Sequence, residues 1–190
     1  MSKISSEEKQ QEMEVTTLGG CCFWCTEAVF YRIRGVEKVE SGYSGGNVEN
    51  PSYEQVSTGT TGHAEVVQIT FNPQVITYEE ILEIFFTTHD PTTLNRQGAD
   101  VGTQYRSAIF YHTQQQKQTA EKTIQHLNSE GIWEAPIVTK IEPFETFYEA
   151  EEYHKDYFKR HPEQAYCRLV IAPKIAKLQE HYLSKLKLQI

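Results

Sequence analysis

The 190-residue chain has no uninterrupted apolar run near the roughly 18 residues a membrane-spanning helix needs, and its first 14 residues carry no apolar stretch of the kind a secretory signal contains. Positive charge is also short: Lys plus Arg number 18 against 26 Asp plus Glu, a net charge of −8. Such a surface repels nucleic acid and anionic lipid on average, so neither nucleic acid nor a membrane is expected as a partner. Internal repeats and low-complexity segments are absent, and with 38% hydrophobic and 12% aromatic residues the composition fits neither disorder nor collagen. A cytoplasmic, monomeric protein is expected, with a flexible segment over residues 1–13 and a single catalytic domain with a C-terminal helical tail over 14–190.

Cysteine is scarce, four in all, but it is not scattered. Cys21, Cys22 and Cys25 fall within five residues, and Cys167 stands far away. A secreted disulfide scaffold would spread its cysteines, so the cluster points to redox chemistry or metal binding.

The element pattern places that cluster. Residues 14–18 read as a strand ending at Gly19 and Gly20, and the chain then opens a helix with Ala28, Val29 and Ile33 apolar and Gly35 as its stop. A strand over 36–43, a long polar loop over 44–62 and an alternating strand over 65–71 follow. Thr77 and Glu80 form a capping box for a helix carrying Ile81, Leu82, Phe85 and Phe86, which His89-Asp90-Pro91 terminates. A second long loop over 92–105 leads to a strand over 107–111, then to a helix capped by Thr113 and Gln116 that stops at Gly131. A fifth strand over 136–141 and helices over 149–159 and 174–186 complete the expectation. The first six elements run strand, helix, strand, strand, helix, strand, which predicts an α+β, ferredoxin-like two-layer sandwich built on a split βαβ core, with a C-terminal extension.

Cys22 is thereby expected at a helix N-terminus, where unpaired N–H groups and the helix dipole favour a thiolate. The competing reading is a small core residue beside Phe23 and Trp24. Cys22-Phe23-Trp24-Cys25 is also a C-x-x-C. Zinc would want a second such knuckle or a closer His pair than His154 and His161, so no metal is expected. A simple dithiol exchanger would leave the loop residues unexplained. Those residues are Glu65, at the start of a strand, and Tyr53, Asp100 and Tyr105, on loops. Singly, a strand-edge Glu is usually solvated and a loop Tyr usually caps a core.

Taken together the segments resemble peptide methionine sulfoxide reductase of the A type, the enzyme family specific for the S epimer of methionine sulfoxide. The likeness rests on Gly20-Cys21-Cys22-Phe23-Trp24-Cys25, where the family reads Gly-Gly-Cys-Phe-Trp, and on Gly42-Tyr43-Ser44-Gly45-Gly46 and Asn50-Pro51-Ser52-Tyr53. Gly62-His63-Ala64-Glu65, His89-Asp90-Pro91-Thr92, and Asp100 with Gly102-Thr103-Gln104-Tyr105-Arg106-Ser107 continue it in order, from about residue 15 to 173. The resemblance implies Cys22 as nucleophile, Phe23 and Trp24 as walls of the substrate-methyl pocket, and Glu65 as acid. Tyr53 and Tyr105 would donate to the sulfoxide oxygen, and Asp100 would support the site. It further implies that methionine S-sulfoxide, free or in oxidised proteins, is the substrate and that Cys22 becomes a sulfenic acid.

A second thiol would then close a disulfide for thioredoxin or another dithiol to reduce, with no metal, flavin or nicotinamide cofactor. The family's Tyr-Cys segment is matched by Tyr166-Cys167, making Cys167 the expected resolving cysteine on a flexible C-terminal approach, with Cys25 its rival. Position 21 departs from the family, with Cys in place of Gly, and its role stays open between a third redox thiol and an inert substitution.

Overall fold

The computed structural model describes residues 12–188, so most of the expected flexible segment over 1–13 lies outside the described residues. Strand β1 (Glu14–Gly19) leads into α1 (Phe23–Phe30), β2 (Val36–Ser44), α2 (Tyr53–Ser57), β3 (Ala64–Phe71) and α3 (Tyr78–Thr88). A two-residue hairpin, β4 (Arg96–Gln97) and β5 (Asp100–Val101), and a 3-10 turn over Thr103–Tyr105 precede β6 (Ala108–Tyr111) and α4 (Gln114–Glu130). Then come β7 (Lys140–Pro143), β8 (Tyr148–Glu149), a 3-10 turn over Glu152–His154, the short α5 (Tyr157–Arg160), a π-helical turn over Cys167–Ile171 and α6 (Ala172–Tyr182).

Six strands form one sheet in the order β7-β6-β1-β3-β2-β8. β3 runs antiparallel to both β1 and β2, β6 is antiparallel to β1, and β7 joins β6 in parallel. The fold is therefore mixed α and β around a sheet. Alternation in β3 puts Glu65, Val67, Ile69 and Phe71 on one face. Val67, Ile69 and Phe71 enter the main core with Phe30, Ile33, Ile81, Leu82 and Phe86. The opposite face is covered too, since Ala64 and Val66 pack with Ala108, Phe110, Phe144 and Phe147.

Local chemistry explains the elements. Thr77 accepts from the Glu80 N–H while Glu80 accepts from the Thr77 N–H, the reciprocal cap expected for α3. At the other end His89 bonds the Phe85 carbonyl at 2.6 Å and Ser107 Oγ at 2.8 Å, tying α3 to the start of β6. His63 Nδ1 accepts from the Gly46 N–H at 3.1 Å, so its Nε2–H donates to the Val48 carbonyl at 2.8 Å. Gly46 permits this close approach: a Cβ there would stand 2.4 Å from the His63 backbone nitrogen. The Gly45-Gly46 and Gly62-His63 motifs thus hold the long 44–62 loop against the mouth of β3.

Five expectations need correction. The loop over 44–62 contains α2, whose capping box is Ser52 with Gln55. The loop over 92–105 contains the β4–β5 hairpin. The fifth strand forms at Lys140–Pro143 rather than at 136–141, because its pairing partner β6 fixes the register at Ala108↔Lys140. The helix expected over 149–159 is replaced by β8, a 3-10 turn and α5, since Gly42 and Tyr43 pair with Glu149 and Tyr148 and draw this segment onto the sheet edge. The last helix begins earlier than 174, running on from the π-helical turn at Cys167. No helix among the described residues is long and apolar enough to cross a membrane.

Candidate active site

Cys22 is the residue immediately before α1, in a non-helical conformation (φ −50°, ψ 131°), and its side chain does not cap the helix. The cap comes from across the sheet, where Glu65 Oε2 accepts the Phe23 N–H at 3.0 Å. One otherwise unpaired donor of the helix N-terminus thereby holds a carboxyl group from β3 beside the cysteine. Both groups are buried, Glu65 to 1% exposure and Cys22 to 6%.

Burial decides the protonation of this pair. It pushes the Glu65 carboxyl from 4.5 up to about 8, with the Phe23 N–H pulling the other way and charge on Cys21 and Asp100 adding to the rise. The expected thiolate at Cys22 is not the resting form. Burial first, and the Glu65 charge second, raise this thiol well above its usual value, outweighing the pull of the helix N-terminus.

The tyrosines converge on the same point. Tyr53 is the first residue of α2 rather than a loop residue, and Tyr105 closes the 3-10 turn after β5. Burial raises both phenols, Tyr53 to about 12, with Glu65 and then Cys22 the next causes for each. Both hydroxyls therefore stay protonated donors. Asp100, on β5, accepts from the Tyr166 hydroxyl at 2.6 Å, and that hydroxyl also lies 3.8 Å from Cys25 Sγ.

The Phe23 and Trp24 rings are clamped by residues 151–157. Trp24 donates its indole N–H to His154 Nδ1 at 3.0 Å and stacks on Tyr157 at 3.7 Å between ring centroids, 6° from parallel. His154 is fully buried, lies 4.9 Å from the Phe23 ring and 4.5 Å from that of Tyr53, and turns Nε2 toward Glu151 Oε2 at 3.7 Å. Burial lowers its pKa, so the neutral imidazole is the acceptor the indole requires. Glu151 Oε1 accepts the Tyr53 N–H and its Oε2 the Tyr43 hydroxyl, each at 2.8 Å. Glu151, His154 and Tyr157 were not singled out for this role from the sequence. The spacing of Glu151 and His154 carries no metal or catalytic pattern, and only the β2–β8 pairing brings them here.

The remaining cysteines differ in setting. Cys21 has no positive φ, so the side chain replacing the family's Gly is accommodated without strain. Its Sγ sits 3.2 Å from Thr26 Oγ1. Cys25 occupies the first turn of α1 and is completely buried. Cys167 is also completely buried, at the start of the π-helical turn, rather than on a flexible approach. Packing of Ile171, Ile175 and Leu178 into the core fixes that segment. All four thiols are free. Among the described residues no group of three or more His, Cys, Asp and Glu side chains is disposed to hold a metal ion.

A buried thiol, a carboxyl raised by burial and two protonated phenols are thus coupled in one region, and comparison with known proteins gives the class of protein that carries them. The family described as peptide methionine sulfoxide reductase matches residues 14–187, and the chain belongs to that family. It is 58% identical over 176 residues to the peptide methionine sulfoxide reductase MsrA of Saccharolobus solfataricus, covering 93% of this chain and 98% of that one. The Deinococcus radiodurans MsrA is 58% identical over 174 residues, 92% of this chain and 84% of that protein. Among solved structures, Mxr1 from Saccharomyces cerevisiae in reduced form matches with a TM-score of 0.75 and 38% identity, over 82% of this chain and 90% of that one. Mxr1 in complex with Trx2 matches with a TM-score of 0.54 and 28% identity, over 81% of this chain and 91% of that one.

Proposed function

We propose that the chain reduces the S epimer of methionine sulfoxide, free or in oxidised proteins, to methionine. Cys22 attacks the sulfoxide sulfur while Glu65 delivers a proton to the oxygen and Tyr53 and Tyr105 donate hydrogen bonds to it. Phe23 and Trp24 wall the methyl group, and Asp100 positions the Tyr166 hydroxyl beside them. Methionine leaves, and Cys22 is left as a sulfenic acid. Cys25 or Cys167 then condenses with it to a disulfide, which thioredoxin or a similar dithiol reduces.

One observation carries this reading: a carboxyl held near pKa 8 directly beside a buried thiol at a helix start. A sulfoxide sulfur is a poor electrophile until its oxygen is protonated, and an ordinary carboxylate has no proton to give at neutral pH. The pairing with Trx2 in the Mxr1 complex supports a thioredoxin as reductant. We further read residues 14–190 as one catalytic domain acting as a cytoplasmic monomer in protein repair. The order β6-β1-β3-β2, with α1 and α3 as the crossovers, supports a ferredoxin-like core.

The test uses racemic methionine sulfoxide with excess dithiol and chiral separation of what remains. The S epimer should disappear with the R epimer untouched. Equal consumption of both, or of neither, would refute the assignment. Cys22→Ser should release no methionine even in a single turnover.

A further inference from the structure

Cys21 has no task in the reaction above, yet its surroundings are not those of an idle core cysteine. Its thiol lines one small cavity with Cys25 and Lys174 and lies 3.2 Å from Thr26 Oγ1. Lys174 is itself held over this spot by donating to the Thr88 carbonyl at 2.7 Å. Gly20, Phe85 and His89 close the remaining sides, leaving a cavity of only about 10 Å³, too small to admit a ligand. Cys25 first, with Lys174 and Thr26, lowers the Cys21 thiol to about 6 against the opposing effect of burial, while Cys21 and then burial raise Cys25. Cys25 and Cys22 also interact electrostatically. Cys21 and Cys25 therefore share one small cavity, and the Cys22 carbonyl accepts the Cys25 N–H at 3.0 Å.

We propose that Cys21 and Cys25 are a second redox couple, which withdraws the oxidation from Cys22 into a buried Cys21–Cys25 disulfide and so frees Cys22 for a second sulfoxide. This rests on the reading of Cys22 as nucleophile. In the first step Cys25 attacks the Cys22 sulfenic acid: an S–S bond forms, the S–O bond breaks, and the hydroxyl leaves as water with the proton from Cys25. In the second, the Cys21 thiolate attacks Cys25 Sγ, an S–S bond forms as the Cys22–Cys25 bond breaks, and Cys22 departs with that electron pair as a thiolate, which takes a proton from solvent. The exchange moves no net electrons. Cys25 is completely buried, so internal exchange through Cys22 is the route by which this pair is oxidised.

Stoichiometry without any external reductant tests the couple. In a Cys167→Ser background, which removes the other candidate resolving thiol, the reduced protein mixed with excess methionine S-sulfoxide should release two methionines per chain. With Cys21→Ser or Cys21→Gly added, it should release one, ending as the Cys22–Cys25 disulfide. After one equivalent of sulfoxide, alkylation followed by chymotryptic cleavage at Phe23 and Trp24 and tandem mass spectrometry should find the label on Cys22 and none on Cys21 and Cys25. One methionine from both forms, two from both, or the label on Cys21 would overturn the couple while leaving the reductase reading intact. No methionine from either would overturn the reductase reading itself.

Discussion

Replacing Glu65 by Gln separates the two functions placed on this carboxyl, because it should push two measurable quantities in opposite directions. The amide keeps an oxygen that can accept the Phe23 N–H, now bonded at 3.0 Å, so the start of α1 should hold. What is lost is the proton and the charge. With the carboxyl at about 8 rather than 4.5, about nine in ten side chains carry a proton at pH 7, against about one in three hundred for an unperturbed Glu. Burial therefore multiplies the supply of acid at neutral pH roughly 300-fold, and general acid catalysis of this kind is typically worth about 10²- to 10⁴-fold in rate. Single-turnover methionine release in Glu65→Gln should accordingly fall by about 10²-fold or more. The parent's rate should decline as pH rises above about 8, where the acid form is lost, and the variant should lack that decline. Meanwhile the Cys22 thiol, held up partly by the Glu65 charge, should ionise at lower pH and be alkylated faster by iodoacetamide. Methionine release within tenfold of the parent would refute the acid role. Unchanged alkylation at Cys22 would refute the electrostatic coupling.

Other consequences follow from the scaffold around the site. In His154→Phe the buried Trp24 indole N–H loses its acceptor, which should cost about 1–3 kcal/mol in denaturant unfolding, whereas His154→Gln, able to accept, should recover most of it. A Cβ at Gly42 would meet the Tyr148 carbonyl oxygen at 2.4 Å, so Gly42→Ala should break the β2–β8 pairing. That variant should lose about 1–3 kcal/mol of stability, and it should raise KM as the 151–157 clamp loosens. Glu27 is buried on α1, accepts the Asp156 N–H at 3.3 Å, and has its pKa raised from 4.5 to about 7 by burial. The folded state then binds the extra proton, so Glu27 contributes a loss of stability as pH climbs from about 4.5 to 7, on the order of 3 kcal/mol at most. Unfolding of Glu27→Gln measured at pH 5 and pH 8 should show a smaller drop than the parent, and an equal drop would contradict the assignment.

The reading from sequence succeeded where the physics is local. Thr77 with Glu80 and Thr113 with Gln116 announce helix starts through bonds made within one turn, and Thr77 and Thr113 both accept from the backbone as expected. The same signature at Ser52 and Gln55 does not by itself predict a helix, because a five-residue helix inside a Gly-rich loop has no apolar period to support it. Failures elsewhere came from partners distant in sequence. Tyr153 and Tyr157 are spaced as on a helix, but pairing of residues 148–149 with β2 and stacking of Tyr157 on Trp24 settle their backbone instead. Cys22, Glu65, Tyr53, Tyr105 and Asp100 were legible as a set only through their resemblance to a family. That their charges act on one another is a property of the folded site, and so is the high pKa of Cys22, which helix position alone would have lowered.

That high pKa bears on how the reaction balances its protons. Attack by a thiol on a sulfoxide gives a sulfenic acid and a thioether, and the proton that leaves Cys22 is matched by one gained at the sulfoxide oxygen. No net charge enters or leaves the site. Burial that raises both Cys22 and Glu65 favours a resting site in which the thiol and the carboxyl are both neutral, and a preformed thiolate beside a preformed carboxylate would set two like charges together at low dielectric. A neutral pair can instead pass one proton along: Glu65 gives its proton to the sulfoxide oxygen as Cys22 loses its own toward Glu65. On this account the rate follows the protonated fraction of Glu65 rather than the thiolate fraction of Cys22. Activity should therefore stay level from about pH 6 to 7.5, a range over which a rate limited by free thiolate would climb about 30-fold.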